Sequence, residues 1–174
     1  MHYRPGSART GIEPPIRRQN ELPTKPLAAS GMSVSPLRVL VADDHPQMLA
    51  ALVHVIESDG RFTVVAQASS GDDALRLASE IAVDVALLDI RMPGGGAGAV
   101  AAVAALPGAP VVVAVSADVT ASTVASVVRA GAVGYLTKGQ IGEALPDLLA
   151  RCAAGEVVLA TETAAGALRT LTRP

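Results

Sequence analysis

The chain has 174 residues, of which 50% are hydrophobic and 17% are charged, and its formal net charge is −2. This composition excludes a wholly disordered, collagen-like or coiled-coil chain, and the net charge argues against attraction of the whole domain to DNA. The single cysteine excludes an internal disulfide and a cysteine-rich zinc site, and the three aromatic residues offer almost no stacking surface for single-stranded nucleic acid. Because the sequence has neither an apolar run of about 18 residues nor a signal-peptide pattern, we expect a cytoplasmic protein without membrane contact.

Residues 1–36 differ from the rest of the chain. They hold six of the twelve prolines and carry a net charge of +3, which leaves −5 for the remainder. A proline-rich stretch of this kind cannot bury enough surface to offset its loss of conformational entropy, so we predict a disordered tail. The alternative is a basic docking arm. Translation could also begin at Met32, just before the first apolar run.

From Leu37 onward, short apolar runs alternate with segments of helical periodicity. The apolar runs predict strands at 37–42, 62–66, 83–88, 110–115 and 133–136. The periodic segments predict helices at about 46–58, 70–78, 120–130 and 142–154, and another that ends near 106. Continuously apolar strands are typical of a parallel sheet that is covered on both faces. The sequence therefore predicts a doubly wound α/β domain with five strands and five helices.

Polar side chains follow four of these strands. Asp43 and Asp44 end the first strand, Asp89 the third, and Ser116 the fourth, and Lys138 follows the fifth. In a parallel α/β sheet the carboxyl ends of the strands form one edge, where ligands bind. Taken singly, each of these residues is a common helix cap, turn residue or solvated charge. Together they bring three carboxylates, a hydroxyl and an ammonium group to one edge of the sheet.

Three clustered carboxylates repel one another unless a cation neutralises them. Oxygen ligands select a hard ion, so the sequence predicts a Mg²⁺ site. His45 follows the acidic pair directly, but we interpret this lone histidine at the start of a helix as a surface residue rather than a ligand. The sequence offers no cluster of thiols and imidazoles for zinc.

Four motifs follow one another along the predicted domain: VADDHP at 41–46, LLDIRMPG at 87–94, VSA at 115–117 and GAVGYLTK at 131–138. Together they resemble the receiver domain of bacterial two-component response regulators, over residues 36 to about 155. The first and last motifs, with AAGEVVL at 153–159, are most similar to regulators of the NarL/LuxR type. The resemblance implies a flavodoxin-like sheet of order 2-1-3-4-5. The receiver domain is then expected at 37–155, after the tail at 1–36, with the start of a linker helix at 156–174.

The resemblance also implies a role for each matched polar residue. Asp89 takes a phosphoryl group from the phosphohistidine of a sensor histidine kinase. Asp44 and Asp89 ligate Mg²⁺ directly, Asp43 holds it through water, and the backbone carbonyl of Arg91 supplies another oxygen. Lys138 pairs with a phosphoryl oxygen. These roles suit phosphoryl transfer, which needs in-line positioning and neutralisation of negative charge.

Ser116 and Tyr135 are implied to form a conformational switch. Ser116 hydrogen-bonds the new phosphoryl group, and Tyr135 reorients as the fourth strand and its helix shift, so that a local change of charge biases a two-state element. Tyr135 lies three residues before Lys138, as in the family. The alternative for Tyr135 is a plain core residue, although a ring with a polar tip suits a mobile boundary site.

The sequence departs from the family pattern in the loop after Pro93. That loop reads GGGAG at 94–98, where the family usually has an aspartate and then a glycine. Loss of the aspartate removes a helix cap. Gly139 stands where an aspartate or proline is commoner, and the basic tail has no counterpart in the family. The acidic cluster keeps all its residues, so we expect phosphorylation to be retained.

The leading interpretation is a phospho-acceptor protein that signals through a downstream protein or a homodimer. It is not an enzyme beyond its own phosphorylation and dephosphorylation. The alternative is the receiver part of a LuxR-type DNA-binding transcription regulator, because residues 156–174 are too few for a helix-turn-helix domain; on either interpretation we expect this chain alone to bind no DNA. A phosphatase with an aspartyl-phosphate intermediate is disfavoured, since it needs an acid two residues after the nucleophile, where Arg91 stands.

Overall fold

The computed structural model describes residues 35–118, 120–139 and 142–172, so the predicted tail at 1–36, apart from its last two residues, lies outside the described part, as does Met32. The strands are β1 (Leu37–Ala42), β2 (Phe62–Ala68), β3 (Val85–Asp89), β4 (Val111–Ser116), β5 (Gly134–Thr137) and β6 (Val158–Ala160). The helices are α1 (Pro46–Glu57), α2 (Gly71–Glu80), α3 (Gly96–Ala104), α4 (Ala121–Arg129), α5 (Leu145–Ala153) and α6 (Ala164–Leu171). Among these helices none is long and apolar enough to cross a membrane.

All strands of the sheet run parallel, in the order β2-β1-β3-β4-β5-β6. The order confirms the prediction of a flavodoxin-like, doubly wound α/β domain. The predicted count of five strands and five helices was wrong, since the described ranges contain six of each. The additional strand and helix both come from the segment that follows α5.

β6 lies within 156–174, where we expected only the start of a linker helix. Val158 pairs with Gly134 of β5 and is buried. A run of three residues is too short to show the periodicity of a strand, and this one is ordered as a strand because β5 offers it backbone partners. The sheet therefore extends beyond residue 155, and α6 begins where the linker helix was expected.

α6 packs closely against α4. Ala167 is fully buried, and a Cβ added to Gly166 would lie only 3.2 Å from the Cβ of Ala121. The guanidinium of Arg129 donates a hydrogen bond to the backbone oxygen of Thr170. Small residues on both helices therefore allow the segment after β6 to lie against the domain.

Two apolar layers cover the two faces of the sheet. Leu40 and Ala42 belong to the layer formed with α2, α3, α4 and α6, whereas Val39 and Val41 belong to the layer formed with α1 and α5. Because both faces are covered, the strands read as continuous apolar runs. Cys152 lies in the second layer, where burial raises the pKa of its thiol to about 11. It is therefore a core residue rather than a reactive one.

Candidate functional site

The carboxyl edge of the sheet brings together the polar residues that the sequence placed there. The Nζ atom of Lys138, which follows β5, lies 2.6 Å from Asp43 Oδ2 and 2.7 Å from Asp89 Oδ2. Both aspartate side chains are almost completely buried. The strand order explains this meeting. β1, β3 and β5 run parallel and end at the same edge of the sheet, and the long Lys138 side chain reaches from the end of β5 to the ends of β3 and β1.

Lys138 is held as a cation between the two carboxylates. Burial alone would lower the pKa of its ammonium group, but the hydrogen bonds and charges of Asp43 and Asp89 outweigh burial and raise the pKa above its usual value. The sequence could not distinguish this arrangement from a solvated loop lysine. The pairing is visible only once β1, β3 and β5 are aligned.

Asp44 and His45 complete the cluster on its exposed side. His45 Nδ1 lies 2.9 Å from Asp44 Oδ1 and 3.4 Å from Asp43 Oδ1, and the backbone N–H of His45 donates to Asp43 Oδ1. The His45 side chain is 71% exposed, so it lies at the surface as expected, while its ring nitrogen is also near enough to the carboxylates to be counted among the possible ligand atoms. Its contact with both carboxylates was missed, although its place directly after them was the available signal.

The donor set fits a divalent cation. One possible ligand atom from each of Asp43, Asp44, His45 and Asp89 lies within 4.8 Å of every other. Two buried carboxylate oxygens each face one nitrogen: Asp43 Oδ2 lies 2.6 Å from Lys138 Nζ, and Asp44 Oδ1 lies 2.9 Å from His45 Nδ1. Three carboxylates face one lysine, so negative charge remains in excess, and a hard cation would balance it.

The loop between β3 and α3 brings backbone groups to the same place. The backbone N–H of Arg91 donates to Asp89 Oδ1 at 3.0 Å, which sets the Arg91 peptide against the Asp89 carboxylate. Gly94 and Gly96 have backbone φ angles of +66° and +77°, values that residues other than glycine rarely adopt. α3 is capped by Gly95, which provides no side-chain hydrogen bond, as expected from loss of the family aspartate.

The same loop lies against the start of α2, a contact that the sequence did not reveal. The backbone N–H of Gly71 donates to Pro93 O at 2.8 Å. A Cβ added to Gly71 would lie 1.8 Å from Gly94 O, far inside van der Waals contact. Only glycine at position 71 therefore allows the loop that carries Arg91 to lie this close to the start of α2.

Ser116 and Tyr135 meet at the first residues after β4. Ser116 Oγ accepts a hydrogen bond from the backbone N–H of Asp118 at 3.0 Å, and the Tyr135 hydroxyl donates to the backbone oxygen of Asp118. Tyr135 is fully buried, and burial raises the pKa of its phenol. Tyr135 is thus part of the core and is also bonded to the loop beside Ser116, and its role in a switch stays a prediction.

Comparison with known proteins identifies the family. Residues 39–150 match the protein-family model that describes the response regulator receiver domain. The chain belongs to this family. It is 37% identical over 136 residues to the transcriptional regulatory protein YxjL of Bacillus subtilis, covering 77% of this chain and 62% of that protein. It is 32% identical to a homologue of the nitrate/nitrite response regulator protein from Haemophilus influenzae, covering 71% of this chain and 60% of that protein.

Solved receiver structures agree with this assignment. The signal receiver domain of the response regulator NarL from Mycobacterium tuberculosis is 36% identical, with a TM-score of 0.66 over 70% of this chain and 99% of that one. A LuxR-family two-component response regulator from Aurantimonas is 26% identical, with a TM-score of 0.72 over 80% of this chain and all of that one. The receiver chain thus spans about three fifths of the length of the curated relatives it matches.

Proposed function

We propose that this receiver is a phospho-acceptor switch and that Asp89 accepts the phosphoryl group. The observation that carries the proposal is the setting of the Asp89 carboxylate at the end of β3. One oxygen accepts from the Arg91 backbone N–H, the other pairs with Lys138, and the Asp43–Asp44 pair lies beside them. An anion with fixed donors next to a cation site is the arrangement that phosphoryl transfer requires.

The donor we propose is a phosphohistidine on a sensor histidine kinase. A carboxylate oxygen of Asp89 attacks phosphorus while the bond from phosphorus to the imidazole nitrogen breaks. The electron pair of that bond stays on the imidazole nitrogen, which takes up a proton, and an acyl phosphate forms on Asp89. Lys138 moves from pairing with carboxylates to pairing with a phosphoryl oxygen. Mg²⁺ held by Asp43, Asp44, Asp89 and the Arg91 carbonyl would neutralise the phosphoryl charge.

A phosphoryl donor tests the assignment of Asp89. Incubation with acetyl phosphate and Mg²⁺ is expected to add one phosphoryl mass to the intact protein, and Asp89→Asn is expected to abolish the addition. Asp84→Asn is the matched control, because Asp84 precedes β3 and accepts from the Arg38 backbone N–H, away from the site. Undiminished labelling of the Asp89→Asn variant would contradict the proposal.

Binding of Mg²⁺ should stabilise the fold, because only the folded chain gathers the three carboxylates. An ion at a hundredfold excess over its Kd contributes about 2.7 kcal/mol to the free energy of unfolding. We therefore expect Tm in millimolar Mg²⁺ to exceed Tm in chelator by several degrees. Asp44→Ala should erase the difference and Asp84→Asn should keep it. The same Tm for the unmodified protein in both solutions would count against a metal site.

We place the protein in the cytoplasm, where a sensor kinase presents its phosphohistidine and thiols stay reduced. Its chemistry is confined to its own phosphorylation and dephosphorylation, so we do not assign it a separate enzymatic activity. The output passes to a downstream protein or through a homodimer. The second candidate is the receiver part of a DNA-binding regulator, which is favoured by the name of YxjL, a transcriptional regulatory protein.

We expect no DNA binding by this chain alone. The chain carries −5 from residue 37 onward, and DNA affinity comes mainly from neutralised phosphates. The five cations of residues 1–36 should give only weak, salt-sensitive contact. A gel-shift titration at physiological salt should show no complex with the full chain or with a chain starting at Met32. Sub-micromolar binding that survives removal of the tail would overturn this expectation.

A further inference from the structure

The proposed function gives no role to His45, although this residue contacts two of the three carboxylates. His45 is the N-cap of α1, but its side chain makes no capping hydrogen bond to the helix. Its ring lies against the aspartates instead: Nδ1 is 2.9 Å from Asp44 Oδ1 and 3.4 Å from Asp43 Oδ1. The backbone N–H of His45 also donates to Asp43 Oδ1, so the main chain fixes the residue beside the cluster.

These two distances match those between ligands that share one small cation. Ligand atoms at about 2.0–2.2 Å from such an ion, roughly 90–109° apart, lie about 2.8–3.6 Å from each other. The cluster in which one possible ligand atom of each residue lies within 4.8 Å of every other comprises Asp43, Asp44, His45 and Asp89. Small rotations of these side chains would therefore bring the imidazole nitrogen and the three carboxylates onto one ion.

An imidazole nitrogen changes which cation the cluster prefers. Mg²⁺ takes oxygen ligands in an octahedron and keeps several waters, so it gains little from a nitrogen ligand. Zn²⁺ binds imidazole nitrogen and carboxylate oxygen together, and four ligands complete its coordination. A zinc ion held by four protein ligands is therefore closed, whereas an octahedral Mg²⁺ leaves positions for phosphoryl oxygens.

We propose that this cluster is also a zinc site, and that Zn²⁺ bound there excludes Mg²⁺ and blocks phosphoryl transfer. Its ligands are Asp43, Asp44, His45 and Asp89. With Zn²⁺ in place no coordination position remains for a phosphoryl oxygen, and the Asp89 oxygen that binds the ion is no longer a free nucleophile. The inference rests on the cation site of the proposed function and adds to it a second ion with the opposite effect.

Long-range ¹H–¹⁵N spectra of the imidazole rings test the ligation directly. The sequence has three histidines, His2, His45 and His54, and His45→Phe assigns the His45 signals. Because a carboxylate oxygen only accepts hydrogen bonds, His45 Nδ1 carries a proton when it faces Asp44 without a cation. An equimolar amount of Zn²⁺ should shift the Nδ1 resonance and leave the ring proton on Nε2, whereas Mg²⁺ should leave both nitrogens nearly unmoved. If His45 only positions Asp44, Nδ1 keeps its proton in the zinc-loaded protein.

Calorimetric titration of the full chain at constant pH measures the contribution of the imidazole to binding. His45→Phe should lower the affinity for Zn²⁺ by about tenfold or more, and should change the affinity for Mg²⁺ much less. His45→Gln, which keeps a polar side chain, should lower the zinc affinity similarly. His54→Phe is the matched control, because His54 is an exposed histidine of α1 outside the cluster, and it should keep both affinities.

Phosphorylation connects the zinc site to function. Zn²⁺ should suppress labelling of the unmodified protein by acetyl phosphate and Mg²⁺. His45→Phe should need about tenfold more Zn²⁺ for the same fractional loss of its own zinc-free rate. If zinc binding and suppression are the same in His45→Phe, or Nδ1 keeps its proton, the zinc site is overturned and the proposed function stands on the labelling of Asp89. If the unmodified protein accepts no phosphoryl group in Mg²⁺, the proposed function fails, and the blocking effect of Zn²⁺ fails with it.

Discussion

Replacing Lys138 by methionine should lower the stability of the domain and nearly stop its phosphorylation. Removal of the ammonium leaves the buried carboxylates of Asp43 and Asp89 side by side without a partner. Breaking a buried ion pair in this way costs about 3 kcal/mol, and because Lys138 is slightly exposed we expect about 2 kcal/mol. Loss of the cation that faces the transferred phosphoryl group should slow labelling by about a hundredfold.

The pH dependence of this effect follows from the raised pKa of Lys138. Its stabilisation is fully present below the usual lysine pKa of 10.5, and it is lost as the pH rises through the higher pKa of the folded state. Urea unfolding at pH 7.5 should therefore show the full difference in the free energy of unfolding between the unmodified protein and the Lys138→Met variant. That difference should become smaller only in strongly alkaline solution. Arg76→Met is the control, since it removes an exposed cation and should change stability little. If the Lys138→Met variant is as stable as the unmodified protein at pH 7.5, the buried ion pair is contradicted.

Of the glycine-to-alanine substitutions at this edge of the sheet, Gly71→Ala is expected to lower the stability of the domain most. The new Cβ would overlap the Gly94 carbonyl, a backbone group that cannot turn aside as a side chain can. The loop must lift from α2 and lose the hydrogen bond from Gly71 N–H to Pro93 O, so the free energy of unfolding should fall by about 3 kcal/mol. Because the loop also carries Arg91, phosphorylation of Asp89 should slow.

Gly98→Ala is the matched control for this substitution. Gly98 lies within α3, and a Cβ added there would meet nothing within 4 Å. Alanine in a helix is more stable than glycine by roughly 0.5–1 kcal/mol, so this variant should be slightly stabilised. Urea unfolding curves of the two variants decide the matter. A Gly71→Ala protein as stable as the Gly98→Ala protein would show that the loop does not lie against α2 as described.

The fold was accessible from the sequence because its strands are buried on both faces. Runs such as 83–88 and 110–115 stand out against their surroundings, and their structural counterparts begin or end within two residues of the predicted bounds. β6 was not accessible, since its three residues gain their order from pairing with β5. α6 was expected as a helix, but its packing on α4 depends on the close approach at Gly166, which the sequence pattern does not encode.

The candidate site was partly accessible for a topological reason. Parallel strands end at one edge, so aspartates after β1 and β3 and a lysine after β5 had to meet there. Contacts that depend on side-chain direction or loop conformation were not accessible. Asp118 reads as an ordinary turn residue before the cap of α4, and its links to Arg91 and Tyr135 join three distant segments.

Chemical trapping of the phosphorylated residue tests the central claim most directly. The protein is incubated with acetyl phosphate and Mg²⁺ and then treated with borohydride, which reduces an aspartyl phosphate to homoserine. Peptide mass spectrometry then locates the homoserine. We predict homoserine at position 89, and at none of Asp43, Asp44 or Asp118. Homoserine at one of those three positions with none at 89, or a labelled protein that yields no homoserine, would contradict the assignment of Asp89 as the phosphoryl acceptor.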